Sequence, residues 1–468
     1  MFITRRKRSF VHLKFLLFCF GAWLFFSMQA HAQSVFDAKE AILDNGLRIV
    51  VVENSRVPVA TQMLWYKVGA ADELPGKSGI VHFLEHLMFK GHAYPGLGSY
   101  EPGEFSRIVR SVGGEDNAFT SQDYTAYYQS VAVEHLEEMM RIEAARMRGL
   151  NVSREDVISE NKVIREERRQ RTDNNPQAQL TEKMKRTLFP VHPYGIPVIG
   201  WMEEIETLTW DDAKYFYDQY YTPSNAILIV SGDVTLPQVI AMAERTYGIL
   251  PTGDSVLVHT RKAAQGSIGP REPIIMEHEN VEQPLFRRFY RLPSARQNKR
   301  ESLALSVLEE ILGAPSTGRF YKALVVGHKL AANTSFFYDG SAWDDGTAFF
   351  SATPVSADAV VDLRKGVDDV LRNIAEHGPT EEEVNNAIKR LQSRAIYARD
   401  SLSGPAMIIG RALVSGQSLD DIETWPEQIS RVRGEDVQAV ARAYLHPDHL
   451  TDTPPVEGIL LPKQNIEE

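Results

Sequence analysis

The feature that most constrains this chain is that it repeats itself. HFLEHL at 82–87 aligns with SVLEEI at 306–311, 224 positions on. SREDVISENKVIREE at 153–167 aligns with TEEEVNNAIKRLQSR at 380–394, 227 positions on, and both open on a capping-box pattern, Ser153 to Asp156 and Thr380 to Glu383. DDAKYFYDQYYTPSN at 211–225 aligns with EDVQAVARAYLHPDH at 435–449, again 224 positions on. Three matches in one order at nearly one offset point to a tandem duplication. The period is too long for a solenoid repeat, so each copy is expected to be a domain. Strands such as LRIVVVEN and NAILIVSGD lie beside long amphipathic helices such as 132–149 and 360–376. Because strands cluster at the start, middle and end of each copy, the expected class is α+β. Each domain should be a mainly antiparallel sheet with helices packed on one face. The domains are expected at 33–251 and 271–468, joined by a linker at 252–270 rich in Gly, Ser, Lys and Arg.

Residues 1–32 read as an export signal and stand outside the fold. Arg5, Arg6, Lys7, Arg8 and Lys14 form a basic start, Phe15 to Phe26 an apolar core, and Ala30-His31-Ala32 a small-x-small cleavage site. The apolar run is short of the roughly 20 residues of a membrane span, so a cleaved signal and no stable membrane anchor are expected. Cys19 is the one cysteine, and the residues before it lack the small side chain a lipoprotein signal needs. The mature chain then has no disulfide to lean on and must be held by its core; a bacterial periplasm suits it. The formal net charge is -11, and removing a signal with five positive and no negative charges leaves it more acidic still. That balance argues against nucleic acid or an anionic membrane surface as partner.

One stretch of the first copy carries chemistry. GIVHFLEHLMFKG at 79–91 places His82, Glu85 and His86 on one face of a helix, with Val81, Leu84, Leu87 and Met88 as packing. Ser78 is the expected cap and Gly91 the expected end. Two neutral imidazoles from one helix suit zinc, which needs a further protein ligand and an open position for catalysis. The helix from Ser153 offers it, since Val157, Glu160, Ile164 and Glu167, with Val163 alongside, form a stripe holding two carboxylates. Glu166 points about 100° away on a charged face, which favours Glu167. Either histidine alone also fits a satisfied core residue, and Glu160 and Glu167 also fit as ion-pair partners of Lys or Arg across a helix interface. His92 reads as a surface loop residue and His192, in VHPYG, as structural. In the second copy Ser306 and Glu310 stand where His82 and His86 stand, while Glu309 matches Glu85. Whatever the first helix does, the second has lost.

On these residues the chain resembles the inverzincin metallopeptidases, the family of pitrilysin, insulin-degrading enzyme and mitochondrial processing peptidase. HFLEH resembles their inverted zinc motif and ENKVIREE at 160–167 their downstream acidic helix. GGEDNAFTSQDYTAY at 113–127, HPYG at 192 and YYTPSNAILIVSGD resemble further family segments. The resemblance implies one zinc per chain held by His82, His86 and Glu167, with Glu85 as general base and Glu160 orienting a ligand histidine. It implies that a peptide or unfolded segment adds as a strand along Asn117, Ala118, Phe119 and Thr120. One departure stands out. Active members carry an arginine and, seven residues on, a tyrosine in the second domain, where this chain has Val325 and Ala332. Losing an oxyanion donor costs about a hundred- to a thousandfold in rate. The expectation is therefore a zinc subunit whose homologous partner supplies the missing pair. The competing readings are an assembly scaffold without activity, or a self-sufficient homodimer using Arg319, Tyr321 or Tyr338.

Overall fold

The computed structural model describes residues 34–253, 272–448 and 454–463; the expected signal and all but the first two residues of the expected linker lie outside them. The first half builds a six-stranded sheet from β1 (Lys39–Ile42), β2 (Arg48–Glu53), β3 (Val59–Tyr66), β6 (Glu115–Thr120), β7 (Thr125–Ala132) and β8 (Ala226–Gly232). A separate hairpin, β4 (His92–Tyr94) and β5 (Gly98–Tyr100), lies between. The sheet order is β1-β2-β8-β3-β7-β6, antiparallel except where β2 runs parallel to β8. The second half pairs β9 (Ile274–His278), β10 (Leu285–Leu292), β11 (Ala331–Asp339), β12 (Gly346–Pro354) and β13 (Val456–Pro462) in the order β11-β12-β10-β13-β9, antiparallel except for β9 beside β13. Strands β9 to β13 thus repeat the pairing of β2, β3, β6, β7 and β8, and β1 is the addition. The duplication legible in three helical segments holds for the whole topology.

The helices of the first half used below are α1 (Ile80–Leu87), α2 (Leu136–Arg148), α3 (Arg154–Arg168), α4 (Pro176–Leu188), α5 (Trp210–Tyr220) and α6 (Leu236–Thr246). Those of the second half are α7 (Lys299–Gly313), α8 (Ala359–His377), α9 (Glu381–Arg399), α10 (Gly404–Val414) and α11 (Gly434–Tyr444). Aligned segments occupy equivalent helices: α1 with α7, α3 with α9, α5 with α11. Ser153 and Thr380 cap α3 and α9 through reciprocal bonds with Asp156 and Glu383, as the capping-box spacing predicts.

Each half covers one face of its sheet with its own helices, and the other face is covered by a helix lent from the opposite half. In β3, Leu64 and Tyr66 point into the core shared with α1, α2, α5 and α6, while Met63 and Trp65 point the other way, under Ala406, Ile409 and Leu413 of α10. Reciprocally, Leu180, Met184 and Leu188 of α4 pack on Leu285, Phe289, Val456 and Leu460 of the second sheet. Each such fully buried side chain contributes about 1.5–3 kcal/mol. Two glycines permit the close approach. A Cβ on Gly410 of α10 would lie 2.0 Å from Trp65, and one on Gly458 of β13 would lie 2.4 Å from the Met184 sulfur. The expectation of helices on one face is right within each half and incomplete for the chain. Strand β3 is buried on both faces for this reason.

Candidate metal centre

Helix α1 begins after Gly79, whose φ of 86° is a left-handed conformation open to glycine. Its first turn is capped by Glu73, which accepts hydrogen bonds from the backbone N–H groups of Gly79 and Val81, both at 3.0 Å. Ser78 is not the cap: its hydroxyl accepts from Trp201 N–H and its own N–H donates to Glu204. The helix ends at Leu87, short of Gly91. A carboxylate is the stronger partner for unpaired N–H groups at a helix start, which is why a residue outside the local pattern takes the role.

The i, i+4 spacing brings His82 edge-to-face with His86, ring centroids 4.8 Å apart. Helix α3 lies against this face and turns Glu160 and Glu167 toward it. The Nε2 atoms of His82 and His86 stand 3.6 and 3.3 Å from one oxygen of Glu167. The other nitrogen of His86, Nδ1, lies 3.2 Å from Glu160, and Lys90 Nζ holds the second Glu160 oxygen at 2.6 Å. Arg171 reaches the outer oxygen of Glu167 at 2.8 Å. On the opposite flank, the Thr120 hydroxyl donates to Glu85. Glu166 faces away, 55% exposed, and pairs with Arg169. Val163, placed alongside the stripe by the sequence pattern, is exposed instead.

Electrostatics follow from this packing. Burial, reinforced by the neighbouring His86, pushes the His82 pKa down to about 4. Burial also opposes a charge on His86, but the bonds to Glu160 and Glu167 outweigh it and raise the pKa to about 9. Glu160 and Glu167 are both held below the usual carboxylate range, first by His86. Glu85 is raised by burial, with the Thr120 bond working against the rise.

The donors fit a zinc ion. Tetrahedral zinc with bonds of about 2.0–2.1 Å holds its ligand atoms about 3.3 Å apart, close to the separations of both imidazole nitrogens from Glu167. Two imidazoles and a carboxylate are a zinc donor set, and these three side chains form the one such group among the described residues. His86 is oriented by Glu160 through its far nitrogen, as metal-ligating histidines usually are, whereas His82 Nδ1 is buried without a hydrogen-bond partner.

The predicted substrate strand is β6, at the edge of the sheet, paired on one side with β7. Asn117 is exposed, Ala118 packs against the first core, and the Phe119 ring meets Trp65 and Tyr124. Thr120 ties the end of this strand to Glu85. His92 corrects the sequence reading: it is 3% exposed in β4, its ring stacked on Tyr100, and burial pushes its pKa down to about 4. His192 is structural as expected, accepting from Tyr194 N–H and facing Asp344 at 3.2 Å.

In the second half the corresponding place is closed. The alignment puts Glu310 at the position of His86 and Arg394 at that of Glu167, and these two form an ion pair, with Arg390 joining at 2.5 Å. A pair of opposite charges bridges the two helices there. Glu309, opposite Glu85 in the alignment, is raised to about 7 by burial. The sequence reading missed Lys90, Arg171 and this ion pair. The i, i+4 spacing of Glu167 and Arg171 is a signal that was present.

Two family models match, "Insulinase (Peptidase family M16)" over residues 48–200 and "Peptidase M16 inactive domain" over 207–391. The chain belongs to the M16 peptidase family. The matched regions divide it as the site does, with the donors inside the first and the second named for an inactive domain. A curated relative, "Zinc protease PqqE" of Helicobacter pylori, is 29% identical over 420 residues, covering 88% of this chain and 92% of the relative. An uncharacterised zinc protease of Streptomyces coelicolor is 27% identical and covers 87% of each. A solved protease from Helicobacter pylori superposes with a TM-score of 0.82 at 28% identity, over 92% of this chain and all of that one. The first half of the periplasmic protease PqqL from Escherichia coli shares the fold, with a TM-score of 0.73 at 19% identity and 92% of each chain covered. No helix among the described residues is long and apolar enough to cross a membrane.

Proposed function

We propose that this chain is a zinc-dependent endopeptidase acting on peptides or unfolded protein segments. The observation that carries the reading is the convergence of both imidazole Nε2 atoms of α1, the helix that also bears Glu85, on one Glu167 oxygen from α3. His82, His86 and Glu167 would hold the metal and Glu160 would orient His86. Bound zinc lowers the pKa of a water molecule and polarises a scissile carbonyl. Glu85 takes the proton of the attacking water and returns it to the leaving amine. Thr120, bonded to Glu85, fixes the carboxylate at the end of β6, and the open edge of β6 accepts the peptide backbone as an added strand.

The oxyanion side of the reaction is the weak point of the isolated chain. Val325 and Ala332, where the family resemblance implies an arginine and a tyrosine in active members, have no side-chain donor. Two of the alternatives within the chain are already engaged. Arg319 binds Glu383, Asn373 and the Gly378 carbonyl. The Tyr338 hydroxyl is buried against the Pro293 carbonyl and Ser302. Tyr321 alone of the three makes no side-chain hydrogen bond with any described residue. This supports a heterodimer in which a homologous subunit donates the arginine and tyrosine. The basic, then apolar N-terminal segment supports export to the periplasm.

The test is peptide hydrolysis by the zinc-loaded chain, by a homologue lacking H-x-x-E-H but keeping the arginine and tyrosine, and by the two mixed. Activity on mixing alone supports the split site, and full activity of the isolated chain with no gain on mixing sinks it. Undiminished hydrolysis by Glu85→Gln would remove the proposed base. A zinc-loaded chain inactive in every combination would favour the scaffold reading.

A further inference from the structure

A cavity of about 810 Å³ opens between the two halves at the end of β6, with Thr120 on its wall. Its floor is apolar, formed in part by Leu188, Phe289 and Phe349. Its acids are all engaged. Asp123 accepts from the Tyr194 hydroxyl and Trp343 N–H. Glu182 pairs with Arg168, Asp339 with Arg411 and Asp345 with Arg291. Two of its cations have no anionic partner among the described residues. The side chain of Lys185, on the lent helix α4, makes no hydrogen bond or ion pair with any described residue, and it is exposed to solvent within the cavity. Arg287, on β10, spends one nitrogen on the Gln177 carbonyl and the Thr181 hydroxyl, while its Nε is buried without a partner.

A solvated lysine and a half-buried arginine, neither with an anionic partner, leave this part of the cavity wall positive and suited to an anion. Partial burial depresses the pKa of Arg287, as expected of a cation without a counter-anion. Thr120, the last residue of β6, lies on the wall of this space, so a strand added along β6 and continuing past Thr120 would be carried toward it. We propose that the cavity is a subsite for a carboxylate of the bound peptide, either its C-terminus or an Asp or Glu side chain, held by Lys185 and Arg287. The subsite rests on the peptide-binding reading above and adds a charge preference to it. Arg287, anchored through one nitrogen, presents a fixed partner, and Lys185 a flexible one.

The test uses binding, so that it does not depend on turnover. Zinc-loaded Glu85→Gln protein is titrated calorimetrically with one unstructured peptide in three forms: C-terminal amide, free C-terminal carboxylate, and amide with an internal Gln→Glu change. One charged form should bind roughly ten- to a hundredfold more tightly than the neutral amide, the yield of a charge-assisted hydrogen bond or two. Which of the two does so identifies the source of the carboxylate. Adding Lys185→Gln or Arg287→Gln should bring that ratio toward one, and Lys185→Arg should preserve it. Lys185 is solvent-accessible, so its substitution leaves the fold intact even if the Arg287 variant does not melt normally. Equal binding of all three peptides, or a ratio untouched by Lys185→Gln with Arg287→Gln, overturns the subsite. A charge preference in a chain that hydrolyses nothing would keep the subsite and remove the peptidase reading; hydrolysis without charge preference would do the reverse.

Discussion

Glu160 is the residue through which the proposed metal centre would be tuned, and replacing it with glutamine isolates that role. Its side chain is 12% exposed and its carboxylate makes two charged contacts, to His86 Nδ1 at 3.2 Å and to Lys90 Nζ at 2.6 Å. Glutamine keeps an acceptor for His86, so the ring stays oriented while the negative charge that makes the imidazole a stronger donor is lost. Changes of this kind cost about ten- to a hundredfold in metal affinity, or about 1.4–2.7 kcal/mol. Alanine should cost more, because it also leaves His86 Nδ1–H and the Lys90 ammonium without their partner. The assay is zinc competition against a chromophoric chelator, with the melting temperature of the metal-free protein as a check on folding. Glu166→Gln, six residues on along the same helix and at the surface, is the control and should leave affinity unchanged. A Glu160→Gln protein that folds and binds zinc as tightly as the unmodified chain would refute the argument that Glu160 acts through His86.

Three further outcomes follow from packing and charge. Gly410→Ala should lower stability by about 1–3 kcal/mol or more in urea titration, because its methyl group meets Trp65 and lifts α10 from the first sheet; an unchanged midpoint would mean that the lent helix contributes little. Glu143→Leu should cost about 3–5 kcal/mol by stranding Arg146, which is 1% exposed, whereas Glu143→Leu with Arg146→Met should recover most of it; a double variant no better than the single one contradicts this. Glu383 is lowered from 4.5 to about 2, first by its bond to Arg319, so its stabilisation is fully present above pH 4.5 and is lost as pH falls toward 2. Solvent reaches the pair and screens it to about 1 kcal/mol. The stability difference between the unmodified chain and Arg319→Gln should therefore shrink on acidification across that window, and a difference constant from pH 6 to 2 would remove Glu383 as its source.

What the sequence alone determined is what repeats or is periodic. The duplication, the helix faces and the caps at Ser153 and Thr380 are local patterns, and the 100° step of a helix was enough to prefer Glu167, which faces the histidines, over Glu166, which faces water. Tertiary structure decided what joins segments far apart in the chain. Glu73 rather than Ser78 caps α1 because a carboxylate from outside the helix arrives within 3.0 Å of two N–H groups. His92 is buried because the hairpin β4–β5 brings Tyr100 against its ring, a contact no spacing announces. The exchange of α4 and α10 between halves is equally silent, since a helix's apolar stripe does not say whose sheet will cover it. In the second half the same two helix positions hold Glu310 and Arg394, and only their meeting shows that an ion pair stands where the first half gathers metal donors.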